Sequence, residues 1–202
     1  MTTIADVRAR VLYALGVSGT STERGFDDAS IDRHIQQAVE EFSLHVPAEA
    51  RADVSVSGGS RQFAVTALTR PLRVLAVEYP PDRWPRVLVD FDVWGGAVTL
   101  DLSPPPTAYM VRVYYTQQHL VDAGGSTVPA GHEHVVVEGA TALAILARAM
   151  GAANTAETAT VAPQTYQHLR VAQERLLRWR EMLRRLGGHL ERHILRAVRS
   201  DG

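Results

Sequence analysis

The hydrophobic period of this chain changes twice, and nothing else in it constrains the fold as strongly. Ile4, Val7, Val11, Leu12 and Leu15 recur at helical spacing. Thr3 with Asp6 suits the start of that helix, and Gly16 its end. A second helix opens at Asp28 or Ser30, carries Ile31, Ile35, Ala38, Val39 and Phe42 on one stripe, and stops at Pro47. From about residue 52 the period falls to two. "ADVSVS", "RQFAVT", "RVLAVEY", "RVLVDFDVW", "AVTLDL" and "YMVRVYYT" alternate or are β-branched, and glycine pairs and prolines separate them. Pro104–Pro106 reads as a rigid, extended connector. After "DAGGSTVPAG" the helical period returns. Residues 131–150 are apolar nearly all round, which predicts a buried helix. Pro163 suits the first turn of a long helix that reaches Gly187-Gly188, where a break is expected before a last short helix.

This order predicts an α+β fold: a helical bundle, an inserted six-stranded antiparallel β module of sandwich or barrel type, and a C-terminal helical tail. The expected boundaries are 1–50 with 128–186 for the bundle, 51–127 for the β module and 187–202 for the tail.

Composition removes several chemistries. The chain has no cysteine, so it has no disulfide, thiolate nucleophile or cysteine-bound zinc. It has no lysine, so the usual phosphate loop is excluded. No uninterrupted apolar run reaches the ~18 residues that span a bilayer, and "MTTIADVRAR" lacks the apolar centre of a signal peptide. The expectation is therefore a protein made in the cytoplasm with no membrane partner. Charge is uneven. Residues 170–202 hold nine arginines against four acids, a net of +5, while residues 1–169 have a net of −6. Such asymmetry suits an interaction segment.

The densest titratable cluster is "GHEH" at 131–134. On a helix His132 and His134 point roughly 200° apart and cannot share one metal, so the stretch reads as a solvated helix start, with Glu133 facing the helix dipole. No metal site or cofactor is assigned. Asp90 and Asp92 share one strand face by the two-residue period and read, with Asp101, as solvent-facing strand acids. No residue is given a catalytic role. Trp84, at a strand break between prolines, reads as a plug at the end of the sandwich, with an intersubunit contact as the other reading.

The whole arrangement resembles the head-to-tail connector adaptor proteins of tailed bacteriophages, the gatekeeper-ring type beneath the portal. The resemblance is carried by "TIADVRARVLYALGV", "DDASIDRHIQQAVEEF", "MVRVYYTQQHLVD", "STVPAGHEHVVVEGATALAILARA" and "YQHLRVAQERLLRWREMLRRL". It implies a structural protein and not an enzyme. It implies a homo-oligomeric ring, commonly of twelve copies, at the head–tail interface of a virion. The ring would bind the portal protein on one face and tail or nozzle proteins on the other, with double-stranded DNA passing through its channel. It also implies a C-terminal segment that reaches the portal; Arg192, Ile194, Leu195, Arg196 and Arg199 are the candidates here. Between subunits, Arg170, Arg178 and Arg185 are the expected partners of Glu40 and Glu41, or of Asp28. Two other readings remain: a β-sandwich module with helical flanks that binds a glycan or protein through Trp84 and Trp94, and a hydrolase using Asp90, Asp92 or His132.

Overall fold

In the computed structural model the backbone is described for residues 2–17, 26–107, 110–155 and 163–200, and side chains for 2–17, 26–107, 110–152, 167 and 169–188. The chain divides into two units. The first combines Met1–Val46 with His119–Arg196, and the second is built on Pro47–Gln118. The fold is α+β, with four α-helices and antiparallel sheets among the described residues. The chain leaves the helical unit after Val46 and returns at His119, earlier than the 50 and 128 read from sequence, because the first strand starts immediately behind Pro47.

The helical unit begins with α1 (Ile4–Ala14). Its capping box is complete: Thr3 N donates to Asp6 Oδ2 at 2.8 Å and Asp6 N donates to Thr3 Oγ1 at 3.4 Å. Helix α2 (Asp28–His45) is capped by Asp27, whose Oδ1 accepts Ser30 N at 2.7 Å. Its stripe Ile31, Ile35, Ala38, Val39 and Phe42 is buried, as the spacing predicts. Helix α3 (Glu133–Thr155) supplies Val135, Val136, Ala140, Leu143 and Ala144 to the same core. The span Ala130–Ala152 is long and apolar enough by length and composition to cross a bilayer, which the sequence reading did not recognise because its alanines and glycines break the strongly apolar runs; half of it is buried in the chain, as a core helix also requires.

Helix α4 (Pro163–Ser200) closes the core with Ala172, Leu176, Trp179 and Leu183. Trp179 is fully buried, and its Nε1 donates to Val135 O at 2.9 Å. The indole lies so close to Gly139 that an added Cβ would clash with two of its ring carbons. Beside this contact Arg175 donates to both carboxylate oxygens of Glu138, at 2.6 and 2.8 Å. Contrary to the expected break at Gly187-Gly188, α4 runs through both glycines. The reason is proximity: a Cβ at Gly187 would lie 2.8 Å from His45 O, so a residue without a side chain lets α4 pass the end of α2. Glycine weakens a helix by ~1 kcal/mol, and that cost is offset by packing.

The described residues of the second unit form seven strands, one more than expected, because "RVLVDFDVW" divides at Asp90 into β4 (Leu88–Val89) and β5 (Phe91–Trp94). One sheet has the order β1 (Ala48–Ser55), β7 (Met110–Gln117), β3 (Pro71–Glu78), β4. The other has the order β2 (Gln62–Ala64), β6 (Ala97–Leu100), β5. Val54, Val77, Val111 and Val113 of the first pack with Phe63, Val98 and Leu100 of the second in one core, so the unit is a sandwich. A small hairpin, β8 (Val121–Asp122) and β9 (Gly125–Ser126), belongs to the helical unit; its two-residue strands are too short to leave a period in the sequence.

Replacing Gly139 by alanine is expected to destabilise the chain by ~1–3 kcal/mol, because the indole cannot move without breaking its bond to Val135. Gly151→Ala, with open space at its Cβ, should instead be neutral or stabilising by up to ~1 kcal/mol. Urea unfolding of both variants checks the pair.

Candidate functional site

The β unit presents an arm. Asp82–Leu88 are all exposed, as are Asp90 and Asp92–Trp94. Trp84 and Trp94 are 87% and 88% exposed. This overturns the reading of Trp84 as a core plug: its side chain is almost wholly exposed and lies outside the sandwich core formed by the described residues. Asp90 and Asp92 do not share a strand either, since Asp90 lies in the break between β4 and β5.

A polar cluster anchors the base of the arm. Inward positions Val54, Val77, Val111 and Val113 fill the core, so the alternating residues Asp53, Glu78, Arg112 and Tyr114 occupy the outer face. The register sets Asp53 and Glu78 on either side of Arg112. Arg112 Nε and Nη2 donate to the two oxygens of Asp53 at 2.8 and 3.0 Å, and Nη1 donates to Asp82 Oδ1 at 2.6 Å. Glu78 is 1% exposed; its carboxylate accepts Tyr114 Oη–H at 2.6 Å and Asp82 N–H at 3.1 Å. Asp82 itself holds φ +64°, a left-handed conformation that costs a non-glycine residue energy and that these bonds sustain. The Arg112 guanidinium holds the carboxyls of Asp53 and Asp82 below their ordinary range, and both raise the pKa of Arg112. Burial, then the bond to Glu78, pushes the Tyr114 phenol up. The cluster therefore fixes the turn from which Trp84 is displayed.

The helical unit presents the outward side of α4. The residues assigned between subunits separate here. Arg170 pairs with Glu174 at 3.7 Å, and Arg185 with Glu181 at 3.2 Å. Glu41 is taken within the chain by Arg180 at 2.7 Å, a partner that the linear spacing gave no means of selecting, and Asp28 pairs with Arg8 at 3.2 Å. Arg178 and Glu40 remain exposed. Leu177 and Leu44 are 61% and 67% exposed. Arg192, Ile194, Leu195, Arg196 and Arg199 lie outside the described side chains, although the α4 backbone reaches them.

The "GHEH" stretch is less solvated than expected. Ala130–His132 form a 3-10 turn ahead of α3. The His132 ring packs on Phe42, centroids 6.0 Å apart, and its buried Nδ1 has no partner among the described residues. Glu133 pairs with Arg10 at 2.7 Å, while His134 is exposed. His119 escaped the sequence reading altogether. It is 6% exposed, with Nε2 at 3.0 Å from Val46 O, Nδ1 at 3.2 Å from Thr127 Oγ1 and its backbone N–H donating to Ser43 Oγ at 2.9 Å. Nδ1 also lies 2.9 Å from Thr127 O, so both ring nitrogens face carbonyl oxygens, and a neutral ring can donate to only one of them. A lone histidine in "QQHLVD" carries no signal of such burial.

No family model matches the chain, and no curated protein matches it significantly. Among solved structures it is similar to a chain described as "Neck of empty GTA particle computed with C6 symmetry". The identity is 12% and the TM-score 0.30, over 66% of this chain and 74% of that one. Superposition at that level does not make the two folds the same.

Arg112→Ala is expected to release the turn. Amide exchange at Asp82 and tryptic cleavage after Arg83 should both rise. In the wild type the carboxyls are held low, so the clamp is intact above the ordinary aspartate range and opens only as pH falls through their lowered values. The variant should exchange rapidly throughout, without that acid transition. Mass-detected exchange across the acid range checks this.

Proposed function

We propose that this chain is a structural head-to-tail connector protein of a tailed phage-like particle, acting in the virion as a ring beneath the portal. The observation that carries the reading is exposed apolar surface on both units. Single exposed apolar residues are ordinary. Two nearly bare tryptophans on one anchored arm, together with Leu44 and Leu177 on the helices, are surface of the kind that assembly covers. The resemblance in sequence order supports the same reading, since it implies a helical bundle with an inserted β module.

In this reading one surface of each copy meets a different surface of the next, and such contacts close into a ring when the rotation permits. The portal protein takes one face, through the basic end of α4, and tail or nozzle proteins take the other. The channel passes double-stranded DNA. A net-acidic body repels the phosphate backbone and keeps DNA from adhering. The role requires no cofactor and no catalysis. Exposed ion pairs contribute only ~0–1 kcal/mol each, so a dilute chain stays monomeric and a portal template gathers the copies at high effective concentration. Twelve copies is the number the resemblance implies.

A second reading, a glycan-binding β sandwich, is favoured by Trp84 and Trp94, whose bare indoles suit stacking on a sugar ring. It predicts that a monomer binds oligosaccharide with a change in tryptophan fluorescence.

Electron microscopy of the chain mixed with portal rings separates the readings. A closed ring on the portal is expected. Deleting residues 188–202 should lower the helical circular dichroism only by the turns removed from the end of α4, leave the cooperative unfolding of the rest in place and abolish attachment. Full attachment of the truncated chain would remove the tail from the portal contact, and a monomer that ignores portals and binds sugar would replace the connector reading.

A further inference from the structure

Resting on the ring reading, the geometry points to the contact between neighbouring copies: the arm of one copy seats Trp94 on Leu177 of α4 in a second copy, with Asp92 against Arg178.

Each side is built for the other. On the arm, Asp92 and Trp94 stand two residues apart on β5 and so share a face, roughly 7 Å apart along the strand. Both are exposed, and the Asp92 carboxylate has no cationic partner among the described residues. Their neighbour Phe91 packs on the sandwich core, so the strand is held from behind and its outer face is presented rigidly. On α4, Ala172, Leu176, Trp179 and Leu183 mark the inward side. The opposite side carries Leu177 and Arg178, with Val171 57% exposed at its margin. Of the outward arginines, Arg170, Arg184 and Arg185 already hold glutamates on their own helix. Arg178 alone on that side has no carboxylate partner among the described residues.

Charge selects the occupant. Residues 90–94 of the arm carry two acids and no base, whereas the outward side of α4 from 170 to 185 carries four arginines and two glutamates. An acidic apolar patch and a basic apolar patch on one chain are complementary to each other. Because the two patches differ, the contact between copies is heterologous. It propagates from copy to copy and closes where the rotation permits. Burying an exposed indole supplies the apolar anchor of such a contact, and the ion pair at its margin fixes the register.

The absence of cysteine gives a clean test. Asp90→Cys marks the arm and Gln173→Cys marks α4, one turn from Leu177; both positions are exposed. Differently tagged single-cysteine chains are mixed at high concentration with a bis-maleimide. Mixed dimers should exceed either same-variant dimer, and the double variant Asp90→Cys/Gln173→Cys should give a ladder of oligomers. Adding Trp94→Ser to the arm-marked chain should lower mixed yield about tenfold. Asp92→Arg should lower it too, and Arg178→Asp on the α4-marked chain should restore it. The contact is overturned by absence of mixed dimers, by equal yields of all dimers, by cross-linking confined within one chain, or by yields that ignore Trp94→Ser. Circular dichroism of each variant identifies any that misfold; for such a case Trp94→Leu replaces Trp94→Ser, with the same decrease expected. Rings on portals without the mixed dimer would sink this contact and leave the ring reading standing. Mixed dimers without rings on portals would do the reverse.

Discussion

The helical unit depends on the contact of Trp179 with Gly139. A fully buried indole needs both room and an acceptor for its N–H. Helix α3 provides the room by omitting a side chain at 139 and the acceptor through the carbonyl of Val135. Around that point Leu176 and Leu183 on α4 reach the core formed by Ile35, Val39 and Phe42 of α2 and by Val136, Ala140 and Leu143 of α3. Fully burying each larger apolar side chain contributes about 1.5–3 kcal/mol, and all of them require α4 to lie at the distance that the glycine permits. Gly187 repeats the device where α4 passes His45. Arg175 on Glu138 and Arg180 on Glu41 then fix the rotation of α4 over both partners.

An insertion is tolerated when its two ends can be held side by side. In the helical unit His119 does this: its ring reaches Val46, the last residue before the insertion, and its backbone is bound by Ser43. In the β unit the corresponding ends pair directly, Ala48 opposite Gln117 in the β1–β7 ladder. With the ends secured, the remainder of the insertion is free to extend. Its surface polar groups are spent on the arm, where Arg112 joins β1, β7 and the turn at Asp82. Rigid anchoring of an exposed apolar segment lowers the ordering cost of binding, which is the property that a docking element needs.

Most elements were legible because their signals are local. The stripes of α1 and α2, the alternation of β1 and β7 and the switch between the two periods each follow from neighbours a few residues apart. Failures occurred where the outcome depends on distant atoms. Trp84 reads the same whether a second layer covers it or not. Gly187-Gly188 reads as a break, because helix propensity knows nothing of the His45 carbonyl that favours glycine there. The pairing of Glu41 with Arg180, 139 residues away in sequence, likewise leaves no local signal. His119 is buried by a hairpin too short to show a period.

By itself, then, the sequence determined the fold class, the order of elements, the caps at Thr3 and the chemistries that a chain without cysteine or lysine must forgo. These are properties of residue type and short-range spacing. The tertiary structure alone decided which aromatic residues are bare and which are buried. It also decided which arginines already have partners, and which glycines serve contact and not flexibility. Burial and pairing depend on which surfaces meet, and that is set by side chains brought together from far apart along the chain.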